Sequence, residues 1–261
     1  MDWFQAILLG LLQGLTEFLP VSSSGHLVLM QSMLGIEPDG NTTFEVMVHA
    51  ATVLATITVF WGDIGRLLRG GMKFTMNDET KYLLKIILSM VPVLVVGLFF
   101  KDRVEALFNS TVGFIGAMLL ITSALLTAAH FISTYRKKKA HPVSYSNAFV
   151  IGLAQAVAVI PGISRSGATI ATGLMLGDEK ANLAKFSFLM VLVPILGEAF
   201  LEILGGAISF DQAGLPLLLG FVAAYASGLF ACRVMINIVA RGKIYYFAIY
   251  CAVVGITALI W

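Results

Sequence analysis

The feature that most constrains the fold is a set of six apolar stretches, each about as long as a membrane-spanning helix. They cover residues 44–61, 82–101, 112–132, 183–205, 215–236 and 244–261. A helix needs roughly 20 mostly apolar residues to cross a bilayer, so each stretch is predicted to span once. Only 12% of the residues are charged, about half the share found in soluble domains. We therefore predict an all-α polytopic membrane protein.

Two further apolar segments, residues 3–35 and 145–177, are each broken in the middle by proline, glycine and serine. The breaks are Pro20–Gly25, with the sequence PVSSSG, and Pro161–Gly167, with the sequence PGISRSG. Non-helical backbone at membrane depth is tolerated only where it is buried in protein or lines a cavity. We therefore predict that each segment is a re-entrant helix pair, which enters the membrane and returns on the same side.

The two breaks belong to an internal repeat. A shift of 142 residues places Gly10, Leu11, Gln13, Ser22, Ser24 and Gly25 on Gly152, Leu153, Gln155, Ser164, Ser166 and Gly167. We predict a single membrane domain over residues 1–261, with repeat one at about 1–132 and repeat two at about 143–261. Three spans separate the breaks, so the second pair should enter from the opposite face. Such paired breaks point to a binding site near the membrane midplane.

Basic residues in the short loops predict the orientation. They are Arg66, Arg69, Lys73 and Lys81 after the first span, Arg136, Lys137, Lys138 and Lys139 after the third, and Arg241 and Lys243 in the last loop. All lie on one side of the six-span arrangement, which is then cytoplasmic. The first pair and both termini then face outside. A net charge of +2, without a basic stripe interleaved with aromatic residues, gives no reason to expect a nucleic-acid partner.

The first break carries a carboxylate, three hydroxyls and an imidazole. Glu17 lies near the end of a short apolar helix, where an ionisable residue is by default a functional candidate; a snorkelling or paired structural glutamate is the alternative. A serine N-cap explains one of Ser22, Ser23 and Ser24, and a helix start also attracts phosphate. His26 lies near Ser22 or Ser23 by helical spacing, which favours a catalytic role.

The second break carries Arg165 between Ser164 and Ser166. An arginine at membrane depth needs an anion, and a guanidinium can grip phosphate through two parallel hydrogen bonds. The alternative is a structural ion pair with Glu17, Glu198 or Glu202. If the two breaks face each other, they form a phosphate site with a nucleophile.

Two weaker candidates lie on the first span. Glu45 and His49 are four residues apart on one helix face. We expect them either to support the site or to hydrogen-bond each other.

These motifs give the chain a resemblance to the bacterial undecaprenyl-diphosphate phosphatases, the bacitracin-resistance family. The resemblance covers nearly the whole chain and rests on Gln13-x-x-x-Glu17, Pro20–His26, Phe44-Glu45-Val46 and Pro161–Thr169. It implies hydrolysis of the terminal phosphate of undecaprenyl diphosphate to undecaprenyl phosphate. That reaction recycles the carrier lipid for peptidoglycan synthesis and confers bacitracin resistance. The resemblance also implies a multi-pass protein of the bacterial inner (plasma) membrane, with a site that opens outward.

The residues expected to act are few. Catalytic candidates are Glu17, Ser23, His26 and Arg165, and substrate-binding candidates are Gln13, Ser22, Ser24, Ser164, Ser166, Gly167 and Thr169. The resemblance implies a divalent cation, Mg²⁺ or Ca²⁺. Gln13 leaves Glu17 as the only carboxylate in the acidic motif, and we expect Glu17 either to hold the metal or to orient His26. Ser23, His26 and an activated water all remain open as nucleophile. The expected partners are the polyprenyl diphosphate lipid, the membrane and a possible second copy of the chain.

Two other functions share features with this sequence. Ser24-Gly25-His26 echoes the type-2 phosphatidic acid phosphatases, but those enzymes need a histidine after their Ser-Arg pair, and none follows Arg165. The second alternative is a carrier that flips polyprenyl phosphate, since inverted repeats with broken helices are typical of transporters. Phosphate release by the purified protein separates the enzyme from the carrier.

Overall fold

The computed structural model describes residues 1–36, 42–108, 111–136, 139–204 and 214–261. Within these ranges the secondary structure is helical, apart from one isolated β-bridge between His141 and Asp178. The predicted all-α class is confirmed. The helices are α1 (Trp3–Phe18), α2 (Ser23–Met33), α3 (Thr42–Val59), α4 (Trp61–Gly71), α5 (Asp78–Phe99), α6 (Lys101–Phe108), α7 (Val112–Tyr135), α8 (Tyr145–Val157), α9 (Arg165–Leu176), α10 (Lys180–Leu204), α11 (Leu215–Ala240) and α12 (Tyr245–Ile260).

Four described helices are long and apolar enough to cross a membrane: α5, α7, α10 and α11. A fifth span results if α3 and α4 count as one, although they are bent by 75°. The bend falls at Phe60, because α4 carries Asp63, Arg66 and Arg69 and is too polar to continue through lipid. Helix α12 has 16 residues and is about 24 Å long, shorter than a hydrocarbon core of about 30 Å. The full arrangement of six spans therefore stays a prediction.

Both broken segments form pairs of short helices, at the positions expected. The first break separates α1 from α2, and the second separates α8 from α9. The two helices of each pair pack against each other. Proline and glycine therefore interrupt the helices here without separating the halves of each segment.

The basic loops meet at one end of the molecule, the turn between α9 and α10. Three contacts join them there: Arg136 Nη1 donates to the Met175 carbonyl at 2.8 Å, Lys180 lies against Gly242, and Lys185 pairs with Asp63. We call this end the basic face. Lys137 and Lys138, which belong to the predicted basic loop, lie outside the described residues.

The second helix pair enters from the basic face. Helix α8 runs parallel to α5, which begins there: Lys85 lies over the Tyr145 ring at 5.4 Å, and Gly152 abuts the Ser89 backbone. Helix α9 returns from the second break to the basic face. Its 12 residues span about 18 Å, so the second break lies well inside the molecule.

The first helix pair enters from the opposite end. Helix α1 runs parallel to α11, with Gly10 against Gly220 and Gly14 against Ala224. Because α11 ends at the basic face, α1 must begin at the other end. The end of α1 reaches Gly228, since Phe18 lies against that residue. The two breaks therefore meet in the interior from opposite directions.

Glycine allows α1 and α11 to touch backbone to backbone. A Cβ on Gly14 would overlap the Ala224 carbonyl and the Gly228 nitrogen. Close approach through small residues is a common way for membrane helices to associate, because lipid offers little hydrophobic drive. This contact fixes the depth of Glu17, one turn further along α1.

We predict that Gly14→Ala destabilises the protein, because α1 and α11 must separate to admit the methyl group. Overpacking of this kind costs about 1–3 kcal/mol, or several degrees of melting temperature in a chain of this size. The control is Gly97→Ala on α5, where an added Cβ meets nothing within 4 Å. Thermal unfolding of both variants in detergent is the measurement, and equal melting temperatures would contradict the prediction.

Candidate active site

The first break is a strained turn that ends α1 and starts α2. Ser22 has φ 71° and ψ 98°, a backbone conformation that non-glycine residues rarely adopt. Its Oγ accepts from the Gly25 N–H at 3.3 Å, and its carbonyl accepts from His26 Nδ1 at 2.8 Å. Local hydrogen bonds therefore hold the strained residue, and Ser23 follows as the first residue of α2.

The second break is capped in a similar way. Ser164 Oγ accepts from the Gly167 N–H at 3.0 Å, a typical serine N-cap. Gly162 has φ 92°, which only glycine adopts without strain. The Ser164 N–H donates to Thr122 Oγ1 on α7 at 3.1 Å. The start of α9, with Arg165 as its first residue, is thus held from two sides.

The two breaks touch each other. Ser166 Oγ donates to the Leu19 carbonyl at 3.1 Å. Gly25 and Gly162 are so close that a Cβ on Gly25 would lie 3.1 Å from the Gly162 Cα. The N-termini of α2 and α9 therefore lie side by side, with their unpaired N–H groups and positive dipole ends in one region.

Glu17 joins the two breaks through its carboxylate. Its Oε2 accepts from Ser23 Oγ at 2.7 Å and from Gln13 Nε2 at 2.9 Å, while its Oε1 pairs with Arg165 Nη2 at 3.1 Å. His49 Nε2 lies 4.0 Å from Oε2. Only 8% of the Glu17 side chain is exposed, against 29% for Arg165. The serine hydroxyl thus already points its proton at a buried carboxylate beside a more accessible guanidinium.

A narrow, partly open cleft adjoins these groups. Its lining residues are Glu17, Phe18, Thr52, Val53, Thr56, Arg165, Ser166, Ser187, Phe188, Val191, Leu192 and Ile195. One part of the wall is charged and hydroxylic, and the other is apolar. Such a cleft suits a ligand with an anionic head and a hydrocarbon tail.

The predicted binding residues divide into two groups. Ser166 lines the cleft, and Gln13 contacts Glu17 directly. Ser22, Ser164 and Gly167 instead form the caps of the breaks, and Ser24 Oγ lies 3.5 Å from Ser22 Oγ. Thr169 Oγ1 is 2.5 Å from Ser187 Oγ and donates to the Arg165 carbonyl at 3.0 Å. Most of these hydroxyls therefore hold the backbone of the site.

His26 faces away from Glu17 and Ser23. Its Nδ1 bonds the Ser22 carbonyl and its Nε2 lies 2.8 Å from the Tyr250 hydroxyl on α12. Both ring nitrogens are therefore engaged. A catalytic role for His26 stays a prediction.

The contacts of Arg165, Glu45 and His49 bear on the alternatives that the sequence leaves open. Arg165 pairs with Glu17; the side chains of Glu198 and Glu202 lie outside the described part of the structure. The side chains of Glu45 and His49 do not hydrogen-bond each other. The Glu45 carboxylate accepts from Gln31 Nε2 at 3.0 Å, while His49 Nδ1 bonds the Glu45 carbonyl and turns Nε2 towards Glu17.

Sequence reasoning missed several polar neighbours of the site. Thr52 and Thr56 of α3 and Ser187 of α10 line the cleft, and Tyr250 bonds His26. The sequence does contain a signal for Thr52 and Thr56, because together with His49 they form a polar stripe at helical spacing in an apolar span. No such sequence signal marks Tyr250, since it lies among other aromatic residues of α12.

Among the residues that the structure describes, no three His, Cys, Asp or Glu side chains converge as a metal-binding cluster. The oxygen atoms best placed to bind a cation belong to the side chains of Glu17, Gln13 and Ser23. Gln13 Oε1 is buried and has no hydrogen-bond partner within the described ranges. A cation here would need further ligands from a bound molecule.

Comparison with known proteins identifies the family. The sequence model of the family "Bacitracin resistance protein BacA" matches residues 6–257. An undecaprenyl-diphosphatase of Bacteroides fragilis is 53% identical over 100% of this chain and 98% of its own length. Proteins with the same name from Bacteroides thetaiotaomicron and Salinibacter ruber are 51% and 42% identical, over 100% and 98% of this chain and 99% and 97% of their own lengths. The agreement covers both breaks and every helix between them, and the chain therefore belongs to the Bacitracin resistance protein BacA family.

Proposed function

We propose that the cleft between the two breaks is the place where undecaprenyl diphosphate loses its terminal phosphate. The chain is an undecaprenyl-diphosphate phosphatase, which returns the carrier lipid to cell-wall synthesis and confers bacitracin resistance. One observation carries the assignment of the site. Ser23 Oγ donates to Glu17 Oε2 at 2.7 Å, beside the guanidinium of Arg165.

Ser23 is the nucleophile in this proposal, with Glu17 as its general base. Ser23 Oγ attacks the terminal phosphorus while its proton passes to Glu17 Oε2. The Oγ–P bond forms, the bond from phosphorus to the bridging oxygen breaks, and undecaprenyl phosphate leaves with the proton from Glu17. Water then attacks the phosphorus of the phosphoserine and gives a proton to Glu17. The Oγ–P bond breaks, Ser23 Oγ takes that proton from Glu17, and inorganic phosphate leaves.

Arg165 and the two helix starts hold the phosphates. The N-termini of α2 and α9 offer N–H groups and positive dipole ends to the same anion. The guanidinium of Arg165 lines the cleft and can grip two phosphate oxygens at once. Charge develops on those oxygens during transfer, so the fork acts mainly in the transition state.

The apolar wall of the cleft accommodates the start of the prenyl chain. Val191, Leu192 and Ile195 of α10 line the apolar part of the cleft. A head group at Arg165 then leaves the tail free to run between helices. This arrangement selects an amphiphilic diphosphate over a free nucleotide.

A divalent cation, Mg²⁺ or Ca²⁺, belongs to the proposal as cofactor. Glu17 would hold it, with Gln13 Oε1 as a neighbouring oxygen and the diphosphate oxygens as further ligands. Mg²⁺ is commonly bound in this way, through one or two carboxylates and substrate phosphates. When bound, the cation would neutralise charge on the phosphate oxygens.

The proposed location is the inner membrane, with the basic face towards the cytoplasm. Basic residues favour that side, and the first helix pair then opens outward. Self-association into a homodimer stays a prediction.

We predict that Glu17→Gln slows phosphate release by about 10²- to 10⁴-fold, the usual contribution of a general base. An amide can keep contacts to Ser23 and Arg165 but cannot take a proton. Steady-state phosphate release by the purified protein is the measurement. Glu179→Gln, at the other end of α9, is the control and should remain near wild type.

Ser23→Ala extends this test, because Ser23 and Glu17 act as a unit. Residues of one catalytic unit are non-additive, so the double variant should be about as slow as either single one. If the double variant instead loses the product of the two single-variant rate factors, Ser23 and Glu17 do not act together as nucleophile and base.

We predict that Arg165→Lys lowers kcat at least about a hundredfold, a cautious fraction of the effect of an arginine that contacts a transferring phosphoryl group. Lysine keeps the charge but lacks the planar fork. The matched control is Arg66→Lys, which alters another arginine–carboxylate pair, with Asp63 at 2.7 Å on the surface. Turnover at saturating lipid is compared, and a value within a few-fold of wild type would return Arg165 to a structural role.

We predict that chelation of divalent cations abolishes phosphate release and that Mg²⁺ or Ca²⁺ restores it. The physical reason is the uncompensated charge of a diphosphate beside a buried carboxylate. The assay compares purified protein before chelation, after it and after metal is added back. Full activity after exhaustive chelation would exclude the cation from the reaction.

A further inference from the structure

Helix α12 reaches the first break through two adjacent residues. The Tyr250 hydroxyl lies 2.8 Å from His26 Nε2, and the two rings stack with centroids 5.5 Å apart and planes 12° apart. Cys251 Sγ lies 3.7 Å from the Pro20 carbonyl oxygen. None of the motifs in the breaks includes Tyr250, yet it is the side chain that meets His26.

The hydrogen bonds of His26 define its tautomer. The Ser22 carbonyl can only accept, so the Nδ1 atom that bonds it carries the proton. In a neutral imidazole Nε2 is then an acceptor, and the Tyr250 hydroxyl donates to it. One chain of donors therefore runs from Tyr250 through His26 to the backbone of Ser22.

That chain ends on the strained residue of the site. Ser22 has φ 71°, and such a conformation persists only where the surroundings enforce it. The next residue is Ser23, whose Oγ lies 2.7 Å from Glu17 Oε2. A relaxed Ser22 would rotate the following peptide and move Ser23 relative to its base.

The second break is also held by hydrogen bonds to a side chain from another helix. Thr122 Oγ1 on α7 accepts from the Ser164 N–H at 3.1 Å and donates to the Gly162 carbonyl at 3.3 Å. Each break is thus contacted by a polar side chain from a helix outside the two helix pairs, Thr122 from α7 and Tyr250 from α12. Such a contact at both breaks indicates that the serine caps alone do not hold the backbone of the breaks in place.

We propose that Tyr250 is a positioning residue for the phosphoryl transfer. Its hydroxyl donates to Nε2 of the Nδ1-protonated His26 and fixes the imidazole ring, and His26 holds the Ser22 turn that places Ser23 Oγ on Glu17. This inference rests on the roles proposed above for Ser23 and Glu17. It assigns His26 an action through Ser22 instead of direct contact with phosphate.

The test is Tyr250→Phe, which keeps the ring and its stacking and removes the hydroxyl. We expect kcat to fall about tenfold, the change that corresponds to one ordinary hydrogen bond, with KM changed much less. The control is Tyr246→Phe, one turn earlier on α12 and 55% exposed, which should keep wild-type kcat. Wild-type kcat in Tyr250→Phe would overturn the inference.

Two further measurements separate positioning from loss of packing. NMR of protein labelled at the histidine nitrogens should show the Nδ1-protonated tautomer of His26 in both proteins, with the Nε2 resonance shifted in Tyr250→Phe because its hydrogen-bond donor is lost. In a His26→Ala background, Tyr250→Phe should cause no further loss of kcat. An unchanged Nε2 resonance in Tyr250→Phe, or an undiminished second loss of kcat in the His26→Ala background, would refute the chain of donors.

The outcome for Glu17→Gln is independent of these results. If that variant is inactive while Tyr250→Phe is normal, only the role of Tyr250 fails. If Glu17→Gln retains turnover, the proposed site itself fails.

Discussion

A carboxylate inside a membrane protein is stable only where its charge is matched, and Glu17 is matched by both halves of the chain. Gln13 and Ser23 donate to it from the first helix pair, and Arg165 pairs with it from the second. Loss of either member of a buried ion pair leaves an unpaired charge, which is strongly destabilising. The two breaks must therefore meet for either half to be satisfied. The close packing of α1 on α11 and of α8 on α5 sets the depth at which they do so.

The contacts that stabilise Glu17 also prepare the chemistry. A carboxylate that already accepts the proton of a serine needs little movement to act as a base. A guanidinium that is more exposed than its partner can turn towards an incoming phosphate, while Gln13 and Ser23 continue to hold Glu17. Without ligand, Glu17 and Arg165 thus compensate each other's charge. When the lipid diphosphate binds, Glu17 can act as the base while Arg165 contacts the phosphate.

The hydroxyls of the breaks mostly hold backbone, and that task explains their number. Ser22 and Ser164 cap α2 and α9, and Thr169 bonds the carbonyl of Arg165. Two helix starts can present N–H groups to one anion only if both turns are rigid. Thr122 and Tyr250 supply that rigidity from α7 and α12. Groups within the breaks therefore contact phosphate in our proposal, while groups outside them keep the breaks in place.

The sequence by itself determined the helical class, the two broken segments and the residues of the central pair, because these depend on local composition and on charges that need a partner. It also predicted the basic loops on one side, and the structure joins Arg136 to the end of α9 and Lys185 of α10 to Asp63 of α4. Only the tertiary structure decided the bend at Phe60 and the partners of the histidines. Periodicity tells which face of a helix a side chain occupies, but not what that face meets. His49 therefore turned out to face Glu17, and His26 to bond Tyr250, a residue 224 positions away along the chain.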